Sequence, residues 1–91
     1  MYYTYILLSL KDKGTYTGYT NNIPLRFSQH CDGLVKSTRN RRPLKLIYYE
    51  AYVYQEDTLK REKYLKTGWG RYYINKVVRN YLSHQPAKIF A

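Results

Sequence analysis

Acidic residues are scarce in this chain: six Asp and Glu stand against sixteen Lys and Arg in 91 residues, a formal net charge of +10. No acid follows Glu62, and Lys36 to Lys45 carries five cations with none to balance them. Positive charge this unevenly placed favours a polyanion, nucleic acid first and an anionic membrane second. The membrane option weakens because no basic helix has the bulky, strongly apolar face of an interfacial segment. A single cysteine, Cys31, excludes an intramolecular disulfide and any cysteine-based zinc cluster, and fits a reducing compartment. Long apolar runs are also missing. Met1 to Leu10 is aromatic and aliphatic but far short of a membrane span, and no basic leader precedes it. The expectation is a soluble, cytoplasmic protein, monomeric by default and without a predicted protein partner: one domain over residues 1–83 with a modest core, then a loosely held tail over 84–91.

Tyrosine is what the chain has in abundance, thirteen in all. Tyr2 to Leu10 reads as a strand buried on both faces. Lys11-Asp12-Lys13-Gly14 is a turn with Gly14 available for positive φ, and Thr15 to Thr20 is the second arm of a hairpin. Gly18 inside that arm marks a bulge or a close approach of another group. Asn21-Asn22 caps a helix with Pro24 in its first turn. Ile23, Phe27 and Cys31 form its buried edge, and Arg26 and His30 share a neighbouring face. Asp32 to Pro43 is a polar, basic loop with a short helical turn. Leu44 to Tyr54 is a strand with Ile47, Tyr49, Ala51 and Val53 facing one way, and Leu46, Tyr48 and Tyr52 the other. Acids at Glu56 and Asp57 start a helix that runs through Lys66 and stops near Gly68. A last helix, about Arg71 to Leu82, turns Ile74, Val77, Val78 and Tyr81 inward. The order ββαβαα implies an α+β fold, a small mixed or antiparallel sheet covered by helices.

Glu62 stands out because it lies three residues after Leu59 and three before Leu65, on one helical stripe, with Trp69 two turns on. A carboxylate on an inward face needs a cation, hydrogen bonds or a metal to offset its desolvation. The plainer alternative is a surface ion pair with Lys66 at i,i+4, contributing about 0.3–0.5 kcal/mol. Tyr5 and Tyr16 can point to one face of the hairpin, and Arg26 and His30 follow on the first helix. Phosphodiester hydrolysis needs an activated water, stabilisation of a pentacovalent dianion and a leaving-group partner. Glu62 with Mg²⁺ or Mn²⁺ would neutralise phosphate charge, Arg26 would bind phosphate bidentately, and a tyrosine beside them would ionise more readily. Taken singly, each residue has an ordinary use in packing or in a surface ion pair.

Tyr3-Thr4-Tyr5, Tyr16-Thr17-Gly18 with ten residues between Tyr5 and Tyr16, Arg26-Phe27-Ser28-Gln29-His30, the basic loop with Thr38-Arg39 and Arg42-Pro43, and Leu59-Lys60-Arg61-Glu62 follow one another in a meaningful order. In that order the chain resembles a GIY-YIG nuclease domain of the small stand-alone bacterial type, from Tyr3 to about Leu82. The resemblance implies a three-stranded antiparallel sheet with the first strand central, flanked by helices, and metal-dependent cleavage of DNA. It makes Glu62 the protein's metal ligand and Arg26 the group that stabilises the phosphorane. Tyr5 or Tyr16 becomes the general base, supported by His30 and the other tyrosine. Thr4 and Thr17 replace the family's isoleucines and Tyr3 its first glycine, while Asn75 sits where some larger members carry an asparagine. No separate DNA-targeting module is expected, which leaves Lys36, Arg39, Arg41, Arg42 and Arg71 as the nucleic-acid contacts. The alternative is a catalytically inactive, basic nucleic-acid-binding module of the same fold. RNA stays open as a substrate, since phosphate contacts do not distinguish the sugars.

Overall fold

A computed structural model describes residues 1–83, so the tail expected over 84–91 lies outside the described residues. Strand β1 (Tyr2–Ser9) is buried continuously from Thr4 to Ser9, as its unbroken apolar and aromatic run requires of a central strand. It pairs antiparallel with β2 (Thr15–Thr20) on one side and β3 (Leu44–Tyr52) on the other, giving the order β2-β1-β3. The architecture is therefore α+β, a three-stranded antiparallel sheet flanked by helices. In the hairpin turn Lys13, not Gly14, takes the positive φ of 65°. Gly14 supplies room instead: its N–H donates to Asp12 Oδ1 at 2.8 Å, and a Cβ there would come within 2.9 Å of the Arg41 guanidinium.

The expected alternation along β3 is corrected by a bulge. Ile6 lies opposite Tyr48 and Leu7 opposite Leu46, which leaves Ile47 as the extra residue. Leu44 and Leu46 then pack with Tyr5 and Leu7 on one face, while Ile47 and Tyr48 both pack with Ile6 on the other. Past the bulge, Tyr48 and Tyr52 each donate to Glu50 at 2.6 Å, so these three share a face. The strand stops at Tyr52, short of the expected Tyr54, which becomes the N-cap residue of the next helix.

Helix α1 (Ile23–Cys31) covers the Tyr5 face. Asn22 Oδ1 accepts from the Leu25 N–H at 3.1 Å, and Pro24 sits where a missing N–H costs least. The helix stops at Cys31 with Asp32 as its cap, and the next residue, Gly33, takes φ 76°, its N–H donating to the His30 carbonyl (3.1 Å) and Leu34 N–H to the Gln29 carbonyl (2.9 Å). Ile23 and Phe27 pack on the core as expected, but Cys31 is exposed. His30, three residues after Phe27, takes the buried place because its ring nitrogens find partners there.

Helices α2 (Gln55–Leu65), α3 (Gly68–Val77) and α4 (Arg79–Ser83) cover the other face, where Ile6, Leu65, Ile74 and Val78 form a core. Thr4 Oγ1 donates to the Thr58 carbonyl at 3.0 Å and ties α2 to β1. The single final helix expected from Arg71 to Leu82 is two helices, and the first starts earlier. Thr67 caps α3 by accepting from the Gly70 N–H at 3.1 Å. Gly70 packs against the α2 backbone at Tyr64 and Leu65, where any Cβ would collide. Two further expectations are corrected. Val77 is 40% exposed, and of the stripe running from Leu59 through Leu65 to Trp69 only Leu65 is buried, Leu59 being 42% and Trp69 77% exposed.

Candidate active site

Tyr5 is the centre of the site. It lies on β1 opposite Gly18 of β2, and a Cβ at Gly18 would be driven into the Tyr5 phenol. The glycine therefore marks a close approach, and the ring lies across the edge strand. From α1, fully buried His30 places Nε2 2.8 Å from the Tyr5 hydroxyl, and its Nδ1 lies 2.7 Å from Oγ1 of buried Thr38. Tyr16, on β2, completes a ring cluster: its centroid is 5.4 Å from His30 and 6.4 Å from Tyr5.

Burial, and then the positive charge of Arg26, lower the His30 pKa to about 4, so the imidazole is neutral near pH 7. A neutral ring donates from one nitrogen and accepts at the other. In one tautomer Tyr5 donates to Nε2 and Nδ1–H donates to Thr38. In the other Thr38 donates to Nδ1 and Nε2–H donates to the Tyr5 oxygen, the arrangement an ionised phenol would need. Burial raises the Tyr5 pKa; Arg26 pulls it down, Tyr16 and Glu62 push it up, and the net direction is upward. At Tyr5 desolvation outweighs the guanidinium, so Arg26 alone does not make this phenol easy to ionise.

Arg26 is half-buried on α1, with Nη1 donating to Gln29 Oε1 at 3.1 Å, and it shares a small apolar cleft with Tyr5 and Phe27. Glu62 reaches the site from α2, which packs over β1 and the edge strand β2. Its carboxylate, 21% exposed, pairs with Lys66 Nζ at 3.3 Å, so the plainer surface pair foreseen for it is present, and its charge is also felt at Tyr5. Tyr16, His30 and Arg26 therefore gather at the Tyr5 phenol, and the charge of Glu62, on α2, is felt there. Beside Tyr16 opens a cavity of about 330 Å³, walled by Lys66, Arg71 and Asn75 over Leu65 and Ile74.

Among the described residues no group of three or more His, Cys, Asp and Glu could hold a metal ion. His30 has both nitrogens committed, so it is no ligand. A single half-buried carboxylate at a basic cleft still fits a Mg²⁺-type ion, which normally takes one or two carboxylates and completes its shell with water and phosphate oxygens.

The basic residues behave differently from one another. Arg71 lines the cavity beside Tyr16, and Lys36 is exposed on the loop. Arg41 is committed to structure: its Nε and Nη2 donate to Asp12 at 2.6 and 3.1 Å, tying the hairpin turn to the loop. That guanidinium holds the Asp12 carboxyl well below the usual range. Arg39 and Arg42 line a second cavity away from Tyr16. Sequence reasoning missed the role of Thr38. A threonine in a basic loop carries no signal that it will be buried under a histidine, whereas Lys66 was visible as the i,i+4 partner of Glu62.

Set against known proteins, the chain matches the GIY-YIG catalytic domain over residues 1–76. It belongs to that family, whose members are generally endonucleases. A UPF0213 protein of Clostridium perfringens is 41% identical over 81 residues, 88% of this chain and 76% of its own. A UPF0213 protein of Bacillus licheniformis is 39% identical over 93 residues, covering 98% and 95%. The solution NMR structure of the UPF0213 protein BH0048 from Bacillus halodurans superposes with a TM-score of 0.52 at 28% identity, covering 100% of this chain and 95% of that one. No helix among the described residues is long and apolar enough to cross a membrane.

Proposed function

We propose that this protein is a divalent-metal-dependent DNA endonuclease that hydrolyses phosphodiester bonds, acting on damaged, branched or otherwise irregular structures. The observation that carries this reading is the gathering around the Tyr5 phenol of His30, Tyr16, the Arg26 charge and the Glu62 charge, from three elements, α1, β2 and α2. Arg26 would bind the scissile phosphate and stabilise the charge that builds on its oxygens as water attacks. Tyr5 or Tyr16 would take the proton of the attacking water, with His30 holding the Tyr5 oxygen in place through Nε2. Glu62 would hold Mg²⁺ or Mn²⁺, which neutralises phosphate charge and lowers the pKa of bound water. Lys66, Arg71 and Asn75 would seat the strand beside Tyr16.

The test is cleavage of labelled linear, nicked, flapped and junction DNA with Mg²⁺ or Mn²⁺, alongside Glu62→Ala. Loss of cleavage in the variant with binding retained supports the assignment; cleavage unchanged in Glu62→Ala removes Glu62 from it. One observation favours a second reading, a nucleic-acid-binding module without turnover: the Glu62 carboxylate is already paired with Lys66. That reading expects salt-sensitive binding and no cleavage in either protein.

A further inference from the structure

The geometry points to a second phosphate seat, away from Tyr16, that holds a backbone phosphodiester of the nucleic-acid strand. Lys11 from the hairpin turn and Arg39 and Arg42 from the basic loop converge on a cavity of about 500 Å³ whose lining contains no acidic residue. Arg42 is held in place by main-chain oxygens: Nε donates to the Arg39 carbonyl at 3.0 Å and Nη1 to the Cys31 carbonyl at 3.2 Å. Lys11 Nζ donates to the Asn40 carbonyl at 3.0 Å. Carbonyl partners fix a cation's position without cancelling its charge. The contrast with Arg41, one residue away and neutralised by Asp12, separates the arginine that builds the loop from those that keep their charge for a ligand.

The floor and the surroundings favour a strand over a free anion. Pro43 and Leu44 give the cavity an apolar base suited to a sugar, and Leu44 packs on Tyr5 and Leu7 from its other side. Arg39 directly follows Thr38, whose hydroxyl bonds His30 and through it Tyr5. A phosphate bound here would hold a strand on the Tyr5 face of the sheet, on the side that carries Thr38, His30 and Tyr5. This inference rests on the proposed reading only in taking nucleic acid as the ligand. It adds Lys11 to the contacts and removes Arg41 from them.

Cys31, the chain's one cysteine, lines the cavity and is exposed, so its alkylation rate reports on the seat directly. Iodoacetate and iodoacetamide are nearly the same size and differ by one negative charge. In the full-length protein at about 0.15 M salt, the iodoacetate-to-iodoacetamide rate ratio should fall about threefold in Lys11→Gln/Arg39→Gln, and stay unchanged in the exposed-cation control Lys45→Gln. A single-stranded DNA 12-mer, without metal, should protect Cys31 from iodoacetamide in the native chain and lose that protection in the double variant. The slope of log affinity against log salt should fall by about 1.4 in that variant, two single-strand contacts at about 0.7 each. Arg39→Gln alone, which removes no hydrogen bond to a main-chain carbonyl, should show half of each effect even where the double variant folds poorly.

Inorganic pyrophosphate and thymidine monophosphate should protect only at concentrations at least tenfold higher than the 12-mer. Protection by these anions at equal or lower concentration overturns the strand seat in favour of a small-anion site. Equal protection by the 12-mer in native and Arg39→Gln proteins overturns the seat altogether. A chain that passes these tests yet cuts no DNA refutes the nuclease reading and leaves the seat standing; one that cuts DNA without Cys31 protection does the reverse.

Discussion

His30 should make this protein lose stability on acidification between pH 6.5 and about 4. Its pKa is lowered from 6.5 to about 4 by burial first and by Arg26 second, while in the unfolded chain it returns to its ordinary value. A group that the fold keeps neutral binds its proton more tightly when unfolded. Stability is therefore full above pH 6.5, declines as pH falls through the interval between the two values, and levels off below about pH 4. At pH 5 the difference in proton binding corresponds to a loss of about 2 kcal/mol, and the full shift to about 3.4 kcal/mol. Asp12 and Glu50 also lose stabilisation on acidification, but both are shifted downward from values of 3.8 and 4.5, so their share is lost mainly below pH 4.5 and leaves the His30 decline between pH 6.5 and 5 on its own. Urea unfolding at pH 7.5, 6, 5 and 4 measures the effect directly. His30→Asn should start less stable at pH 7.5 yet lose about 2 kcal/mol less between pH 7.5 and 5. Thr38→Val, which leaves Nδ1 without a partner, should cost about 1–3 kcal/mol at pH 7.5, with Thr38→Ser recovering most of it. Parallel pH curves for native and His30→Asn proteins would refute the reasoning, because they would place the imidazole in contact with water.

Two further outcomes follow from packing and from the second polar cluster. Gly18→Ala should displace the Tyr5 phenol, destabilise the fold by about 1–3 kcal/mol in urea unfolding, and abolish DNA cleavage even at temperatures where the variant stays folded. Burial alone would raise the Glu50 carboxyl, but Arg61 at 2.8 Å and the Tyr48 and Tyr52 hydroxyls outweigh it and lower its pKa. Glu50→Ala should therefore cost about 2–4 kcal/mol at pH 7, by leaving a half-buried guanidinium and two phenols without their acceptor. Most of that penalty should disappear in Glu50→Ala/Arg61→Met, a difference a double-mutant cycle reads.

What the sequence made legible follows from how local each signal was. The β1 run, the Asn22 cap with Pro24 and the close approach at Gly18 depend on a few adjacent residues, and each appears in the structure in the expected place. The two-residue period of β3 failed at Ile47 because a bulge is set by the partner strand, whose register at Ile6 and Leu7 no pattern within β3 encodes. Gly68 read as a helix stop because glycine weakens an isolated helix, whereas Gly70 is required by the α2 backbone lying against it, which no local pattern shows. The candidate site divides in the same way. Tyr5, Tyr16, Arg26, His30 and Glu62 were identifiable as residue types at telling spacings. Thr38 was not, since its importance arises only when a loop eight residues beyond His30 folds back onto the imidazole. A buried side chain whose partner comes from an irregular loop leaves no periodic trace, and it is from such a loop that this fold supplies the second hydrogen-bond partner of its central histidine.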